Sequence, residues 1–244
     1  PSAEGAVELL NRFQAGASAQ LTGFEMMSDE SLALLKHYYP ALASPLAGEN
    51  PYEVLVEISD YESSEHAMQL MENILEGALE SGCASDAIVA SNIAQARKFW
   101  DMREHIPLAQ ADDGPNIKHD VSLPISAIPA FIKTCNALLK TKYPTIRVIN
   151  YGHLGDGNLH YNVAGPTSAE TESFFTTYSK EIQAMVYAEV ERLNGSISAE
   201  HGVGQQKVDY LQGHRGNAAF HLMQSIKKAI DPNNLMNPGK VINL

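Results

Sequence analysis

Two short stretches hold most of the chemistry in this chain. Gly-His-Leu-Gly-Asp-Gly-Asn-Leu-His at 152–160 and Ser-Ala-Glu-His-Gly at 198–202 together supply three imidazoles and a carboxylate among closely spaced glycines. Two His and one Glu with coordination positions left over describe a catalytic zinc site, because structural zinc sites are closed by four protein ligands. His153 and His160 are seven residues apart, and in one continuous strand an odd separation would put them on opposite faces. Gly155-Asp156-Gly157 is strong turn chemistry, so the chain is expected to fold back as a hairpin and let both rings converge. On the second strand His160 and Asn162 then share one face, and Leu159, Tyr161 and Val163 share the other. Glu200 and His201 are adjacent, and adjacent residues in extended chain point oppositely. One of them could face a metal and the other a substrate. His201 would be suited to a general-base role near neutral pH.

Two cations could complete an anion site. Arg103 lies beside Trp100 on a helical stretch, and a guanidinium can clamp a carboxylate through two hydrogen bonds. Lys118 lies in the strand-like run Asn116–Leu123. Either cation could equally be a solvated surface charge, and Lys118 could pair with Asp120.

These residues need a scaffold, and the hydrophobic pattern supplies one. Residues 6–20 read as a helix and Leu21–Met27 as a short strand. Tyr52–Ile58 has the period of a half-buried strand, and 61–81 has helix spacing with Gly82 placed to cap it. Ala87–Ala90 is a possible strand, 91–105 a helix, and 111–115 a loop by composition. Asn116–Leu123 reads as a strand, 126–141 as a helix, and Thr145–His153 and Leu159–Val163 as strands. Thr167-x-x-Glu170 resembles a capping box opening a long helix that ends near Asn194-Gly195, and a last helix covers about 216–230. The expected fold is α+β, with a mostly antiparallel sheet carrying packed helices. Residues 1–165 would form a sheet-rich, ferredoxin-like cap part, and 166–244 a helical part carrying the Glu-His motif.

Bulk composition narrows the function. The chain has 244 residues, 44 % hydrophobic and 19 % charged, which is an ordinary globular balance and ample for a core. A net charge of −12 argues against binding a phosphate backbone. No apolar run approaches the ~20 residues needed to span a bilayer. Cys83 and Cys135 stand far apart without a CxxC pattern, as reduced buried thiols would in a reducing compartment. Gly202-Val-Gly204-Gln-Gln-Lys207 has lysine where a dinucleotide fingerprint requires its third glycine, so that reading is rejected.

Tyr151-Gly-His-Leu-Gly-Asp-Gly-Asn-Leu-His-Tyr-Asn162 and Ser198-Ala-Glu-His-Gly-Val-Gly204 resemble two signatures of the FAD-linked oxidases related to D-lactate dehydrogenase. D-2-hydroxyglutarate dehydrogenases and glycolate oxidase flavin subunits are close relatives in that group. Asp231-Pro-Asn-Asn-Leu-Met-Asn-Pro-Gly-Lys240 resembles the closing segment of the family. Phe24-Glu25, Arg103-Glu104 and Lys118-His-Asp-Val-Ser-Leu-Pro124 also fit in order, so the resemblance covers nearly the whole chain. It implies oxidation of a D-2-hydroxy acid to the 2-oxo acid, with FAD taking the hydride. It implies His153, His160 and Glu200 as ligands of a divalent metal, zinc above manganese or iron, and His201 as the base. It implies Arg103 and Lys118 on the substrate carboxylate, Asn162 near the substrate, and Asn237 against flavin. Some dicarboxylate-specific relatives carry a hydroxyl residue one helical turn after the arginine, where this chain has Pro107.

Family members also carry an N-terminal FAD-binding domain with its own glycine-rich segments, and nothing like those segments occurs here. The expectation is a substrate domain that does not turn over alone. Further expectations are a cytoplasmic site or one peripheral to the inner membrane, a possible homodimer, and an electron acceptor the residues do not name. A self-contained metal-dependent hydrolase and a non-catalytic carboxylate-binding module are the competing readings. Hydrolysis by the chain alone would favour the first, and metal-independent acid binding the second.

Overall fold

A computed structural model describes residues 2–167, 169–214 and 217–242. The chain forms two compact units, Pro1–Ile197 and Ser198–Leu244.

The first unit is built on a five-stranded antiparallel sheet. Its strands are β1 (Leu21–Ser28), β2 (Tyr52–Ile58), β3 (Asp120–Ser122), β4 (Arg147–His153) and β5 (Asn158–Ala164), in the order β2-β1-β4-β5-β3. The helices are α1 (Ala3–Ala17), α2 (Asp29–Tyr38), α3 (Ser64–Ser81), α4 (Ile93–Asp113), α5 (Ile128–Lys142) and α6 (Thr171–Arg192). They cover both faces. Met27, Ile149 and Tyr151 pack with Leu34 of α2 and Ile106 and Ala109 of α4 on one side. On the other, Phe24 meets Phe13 of α1 and Tyr161 meets Phe131 of α5, with ring centroids 6.2 and 5.2 Å apart. The expected α+β class is the observed one.

Four of the expected elements differ in the structure, each for a local reason. The strand expected at Ala87–Ala90 does not form. The segment has no ladder partner among the described residues, and lines an apolar cavity of about 380 Å³ with Val54, Val56, Met68 and Met71. The helix expected to stop at 105 runs to Asp113 through Pro107, and so takes in part of the expected 111–115 loop. Proline removes one backbone hydrogen bond. The buried series Arg103, Ile106, Gln110 and Asp113 keeps one helix face against the sheet beyond it.

The strand expected over Asn116–Leu123 shrinks to β3 plus an isolated bridge between Ile117 and Val163. Side chains rewire the residue between them. The His119 N–H donates to Asn162 Oδ1 at 3.1 Å, and the Tyr161 backbone carbonyl lies 2.6 Å from His119 Nδ1. The long helix opens at Thr171, not at the capping-box pattern; Thr167 Oγ1 donates to Glu170 Oε2 at 2.8 Å and closes the turn before it.

Gly82 caps α3 as expected, in the left-handed conformation. Cys83 and Cys135 are free and buried, and burial pushes the Cys135 thiol up to about 12.

The second unit carries α7 (Val208–His214) and α8 (Asn217–Ile230). The expected starting residue of the last helix, 216, lies outside the described residues. Leu211, Phe220 and Ile242 form its core. Asp231 ties down the following turn: its carboxylate accepts from the Leu235 and Met236 N–H groups, both at 2.9 Å, and from Lys227 Nζ at 2.5 Å. Those bonds, Lys227 first, hold the Asp231 carboxyl down to about 2. Among the described residues no helix is long and apolar enough to cross a membrane.

Candidate functional site

The β4–β5 hairpin forms as its glycines predicted. A 3₁₀ turn over Leu154–Asp156 leads into Gly157 at φ 80°, whose N–H returns to the Leu154 carbonyl at 3.2 Å. The resulting register pairs Tyr151 with His160 and Ile149 with Asn162. Directly opposed residues share a face, so His153, Tyr151, His160 and Asn162 all lie on the side covered by α2 and α4. The odd spacing of the two histidines is absorbed by the turn. Their ring centroids are 6.0 Å apart.

Neighbouring strands bring carboxylates to both rings. Glu25 of β1 is paired in register with His153, and Asp120 of β3 with His160. Glu25 Oε1 lies 2.5 Å from His153 Nδ1, and Asp120 Oδ1 lies 3.9 Å from His160 Nδ1. Asp120 also accepts from Asn158 Nδ2 at 2.9 Å. At hydrogen-bond distance, as Glu25 is from His153, a carboxylate behind an imidazole fixes its orientation and tautomer, the usual support of a metal-binding histidine.

Arg103 reaches the same place from α4. Its Nε donates to Glu25 Oε2 at 2.7 Å, and its guanidinium carbon lies 4.7 Å from the Tyr151 ring centroid. Glu25 and Arg103 are only 4 % and 7 % exposed, so the pair is nearly withdrawn from water. Burial pushes the Glu25 carboxyl up, but the His153 hydrogen bond and the Arg103 charge outweigh it and hold the carboxyl below its usual range. Only the Nε of Arg103 is engaged. Among the described residues neither of its terminal nitrogens makes a hydrogen bond, and a fork of that kind matches a second carboxylate.

Behind these groups lies a buried polar layer. Tyr151 Oη and Asn162 Nδ2 both donate to Gln110 Oε1, each at 3.1 Å. Burial raises the Tyr151 hydroxyl to about 12, against the pull of Arg103, so it stays protonated and serves as a donor. The Asn162 amide is committed at both ends, to Gln110 and to the backbone of His119. Among the described residues, the buried Gln110 Nε2 has no partner.

The other residues singled out from sequence lie on other segments. Lys118 is exposed, between the Ile117 bridge and β3. Glu200 and His201 belong to the second unit and are exposed there. The backbone bends at 199–201, so the extended-chain argument for opposed side chains does not apply to them. Asn237, also in the second unit, is exposed at φ 47° in a turn closed by Lys240 N–H on its carbonyl, at 3.2 Å.

The first unit thus unites His153, His160, Arg103 and Asn162 and adds Glu25, Asp120, Tyr151 and Gln110. Glu25 had a readable signal: an acid inside the apolar run Phe24–Met27 of a central strand. Two imidazoles each about 2.1 Å from one tetrahedral zinc would place their ring centroids roughly 5 Å apart, somewhat closer than the 6.0 Å seen here. The donor types, the Glu25 carboxylate behind His153 and the nearness of the two rings fit a divalent metal.

Comparisons with known proteins place the chain in a family. The family model described as FAD linked oxidases, C-terminal domain, matches residues 1–241. A D-2-hydroxyglutarate dehydrogenase of Stutzerimonas stutzeri (strain A1501) is 34 % identical over 245 residues, covering 99 % of this chain and 50 % of that protein. One from Xanthomonas citri pv. viticola is 37 % identical over 226 residues, covering 92 % and 46 %. A putative mitochondrial D-lactate dehydrogenase of Schizosaccharomyces pombe is 32 % identical over 251 residues, covering 99 % and 46 %. The chain therefore spans about half the length of these relatives. Among solved structures, p-cresol methylhydroxylase with substrate bound aligns with all of this chain and 51 % of its own, at a TM-score of 0.62 and 15 % identity, a likeness of fold.

Proposed function

The chain belongs to the FAD-linked oxidase C-terminal domain family, and from that premise we propose that it is the substrate-binding part of a flavoprotein that oxidises a D-2-hydroxy acid to the 2-oxo acid. The observation that carries this reading is the placement of two histidines, one braced by a buried carboxylate, and a buried arginine fork on one sheet face.

In this reading the terminal nitrogens of Arg103 bind the substrate carboxylate, and Lys118 adds positive charge to the approach. His153 and His160, with Glu200 of the Ser-Ala-Glu-His-Gly motif, hold a divalent metal. The roles of Glu200 and His201 rest on the sequence motif. A bound metal of this kind lowers the pKa of the substrate hydroxyl and fixes its orientation. FAD supplies the acceptor for the hydride that leaves the alpha carbon. His201 takes the hydroxyl proton, so the substrate loses one hydride and one proton in becoming the 2-oxo acid. Asn162 fixes Gln110 and the His119 backbone beneath the site, and Asn237 contacts the flavin.

The test is anaerobic mixing of the complete flavin-loaded protein with D- and L-lactate, glycolate, D-malate and D-2-hydroxyglutarate. Bleaching of the flavin by one D-acid, abolished by a chelator, supports the reading and names the substrate. No bleaching by any of them, with metal and flavin bound, overturns the substrate class.

A further inference from the structure

Glu25 is a buried carboxylate in a strand that is otherwise apolar around it. Withdrawing such a charge from water costs several kcal/mol unless its partners are well placed. Its two oxygens are divided between two partners: Oε2 accepts from Arg103 Nε at 2.7 Å, and Oε1 meets His153 Nδ1 at 2.5 Å. The cross-strand register puts Glu25 opposite His153, and α4 brings Arg103 down onto the same group.

We propose that Glu25 is a positioning residue that sets, through one carboxylate, both the metal-facing nitrogen of His153 and the aim of the Arg103 fork. An ionised carboxylate only accepts hydrogen bonds. The proton of a neutral His153 is therefore held on Nδ1, and the lone pair that ligates a metal stands on Nε2. On the other side, engaging Nε fixes the guanidinium plane and leaves its terminal nitrogens for a carboxylate. Metal and substrate carboxylate are then registered to one rigid group in the sheet. The inference rests on the metal-assisted reading above and names a residue which that reading leaves out.

Glu25→Gln separates the possibilities. Glutamine offers one oxygen acceptor and turns an N–H₂ donor toward the other partner. If it faces His153, Nδ1 must become the acceptor, the proton moves to Nε2, and the ligand lone pair is lost. If it faces Arg103, two donors collide and the fork turns.

The experiment measures zinc binding to the complete flavin-loaded protein by competition with a chromophoric chelator. Loss of a supporting carboxylate of this kind costs about 10–100-fold in metal affinity, and that rise in zinc Kd is the expected result. The substrate KM should rise as well. In a His153→Ala background the same substitution should change zinc Kd less than about threefold, because its effect runs through that ring. An equal loss in both backgrounds would mean general damage and overturn the proposal. Wild-type zinc binding with less than about a threefold change in both zinc Kd and substrate KM in Glu25→Gln overturns it while leaving the metal site standing. Wild-type protein that binds zinc no more tightly than His160→Ala overturns the metal-site reading and this inference together. Should Glu25→Gln fail to fold, Glu25→Asp takes its place. One methylene shorter, it cannot reach both partners. A zinc Kd raised more than about threefold supports the proposal, and a smaller change overturns it.

Discussion

Gly157 should be among the positions of the hairpin least tolerant of a side chain, and the loss can be divided into two terms. The residue sits at φ 80°, and a Cβ built on it would lie 2.3 Å from the Leu123 carbonyl oxygen. The left-handed conformation costs a non-glycine residue about 1–2 kcal/mol. The contact is with backbone, so no rotamer change relieves it, and forcing extra volume into a packed site costs about 1–3 kcal/mol more. Gly157→Ala should therefore destabilise the first unit by roughly 2–5 kcal/mol. Gly48 supplies the control. It has a similar φ of 89°, but nothing lies within 4 Å of the Cβ it would gain. Gly48→Ala should show the torsional term alone, about 1–2 kcal/mol. For a chain of this length each kcal/mol moves the melting temperature by about 2–4 °C. The two variants should then separate by several degrees in thermal unfolding followed by circular dichroism. Equal melting temperatures would refute the claim that the Leu123 carbonyl closes on this turn. Leu123 N–H also donates to the Gly157 carbonyl at 3.0 Å, so the displaced segment is the one that runs from β3 beside the histidine hairpin. Zinc content should fall with stability in Gly157→Ala and stay intact in Gly48→Ala.

Other perturbations probe other parts. His160→Ala should strip metal, read by elemental analysis, with little change in far-UV circular dichroism. His201→Ala should keep metal and lower turnover of the flavin-loaded protein by about 10²–10⁴-fold, the usual worth of a general base; near-normal turnover would refute that assignment. Asp113→Ala should cost about 3–5 kcal/mol in denaturant unfolding, because Asp113 is buried and takes both terminal nitrogens of Arg147, at 3.1 and 2.7 Å. The Asp231 carboxyl is held down to about 2, below the roughly 3.9 of an unfolded Asp, so its stabilisation is present above about pH 4 and lost as pH falls through 2. Hydrogen exchange over 231–242 should be faster in Asp231→Asn than in wild type at pH 7, and the difference should vanish near pH 2.

Much of this architecture was legible because it is written in local periodicity and turn chemistry. Tyr52–Ile58 emerged with the bounds its alternation gave. The Gly155-Asp156-Gly157 turn brought His153 and His160 to one face as expected. The misreadings share a cause: in each, a distant partner or a side chain decided the outcome. Residues 91–105 read as a helix, but burial of Ile106, Gln110 and Asp113 carries it past Pro107 to Asp113. Asn116–Leu123 reads as one strand, but the Asn162 amide takes the His119 N–H that a ladder would use. Ala87–Ala90 reads as a strand and finds no ladder partner among the described residues.

The site shows the same division. Residue types singled out His153, His160 and Arg103, the histidines for their glycine-framed run and the arginine for its place on a helical stretch beside Trp100. The groups that hold them could not be read from type alone. Tyr151 resembles any core aromatic, and Gln110 any polar helix residue. Glu25 becomes meaningful only when the register of β1 against β4 sets it opposite His153, at a sequence distance of 128 residues, and α4 lowers Arg103 onto its other oxygen. A carboxylate in the middle of an apolar strand is costly enough that partners must exist somewhere in the fold. The residue pattern alone reveals that cost, although it does not reveal which partners meet it. Searching central strands for lone acids would therefore find the residues that hold a site in place, where motif searching finds the residues that touch its ligands.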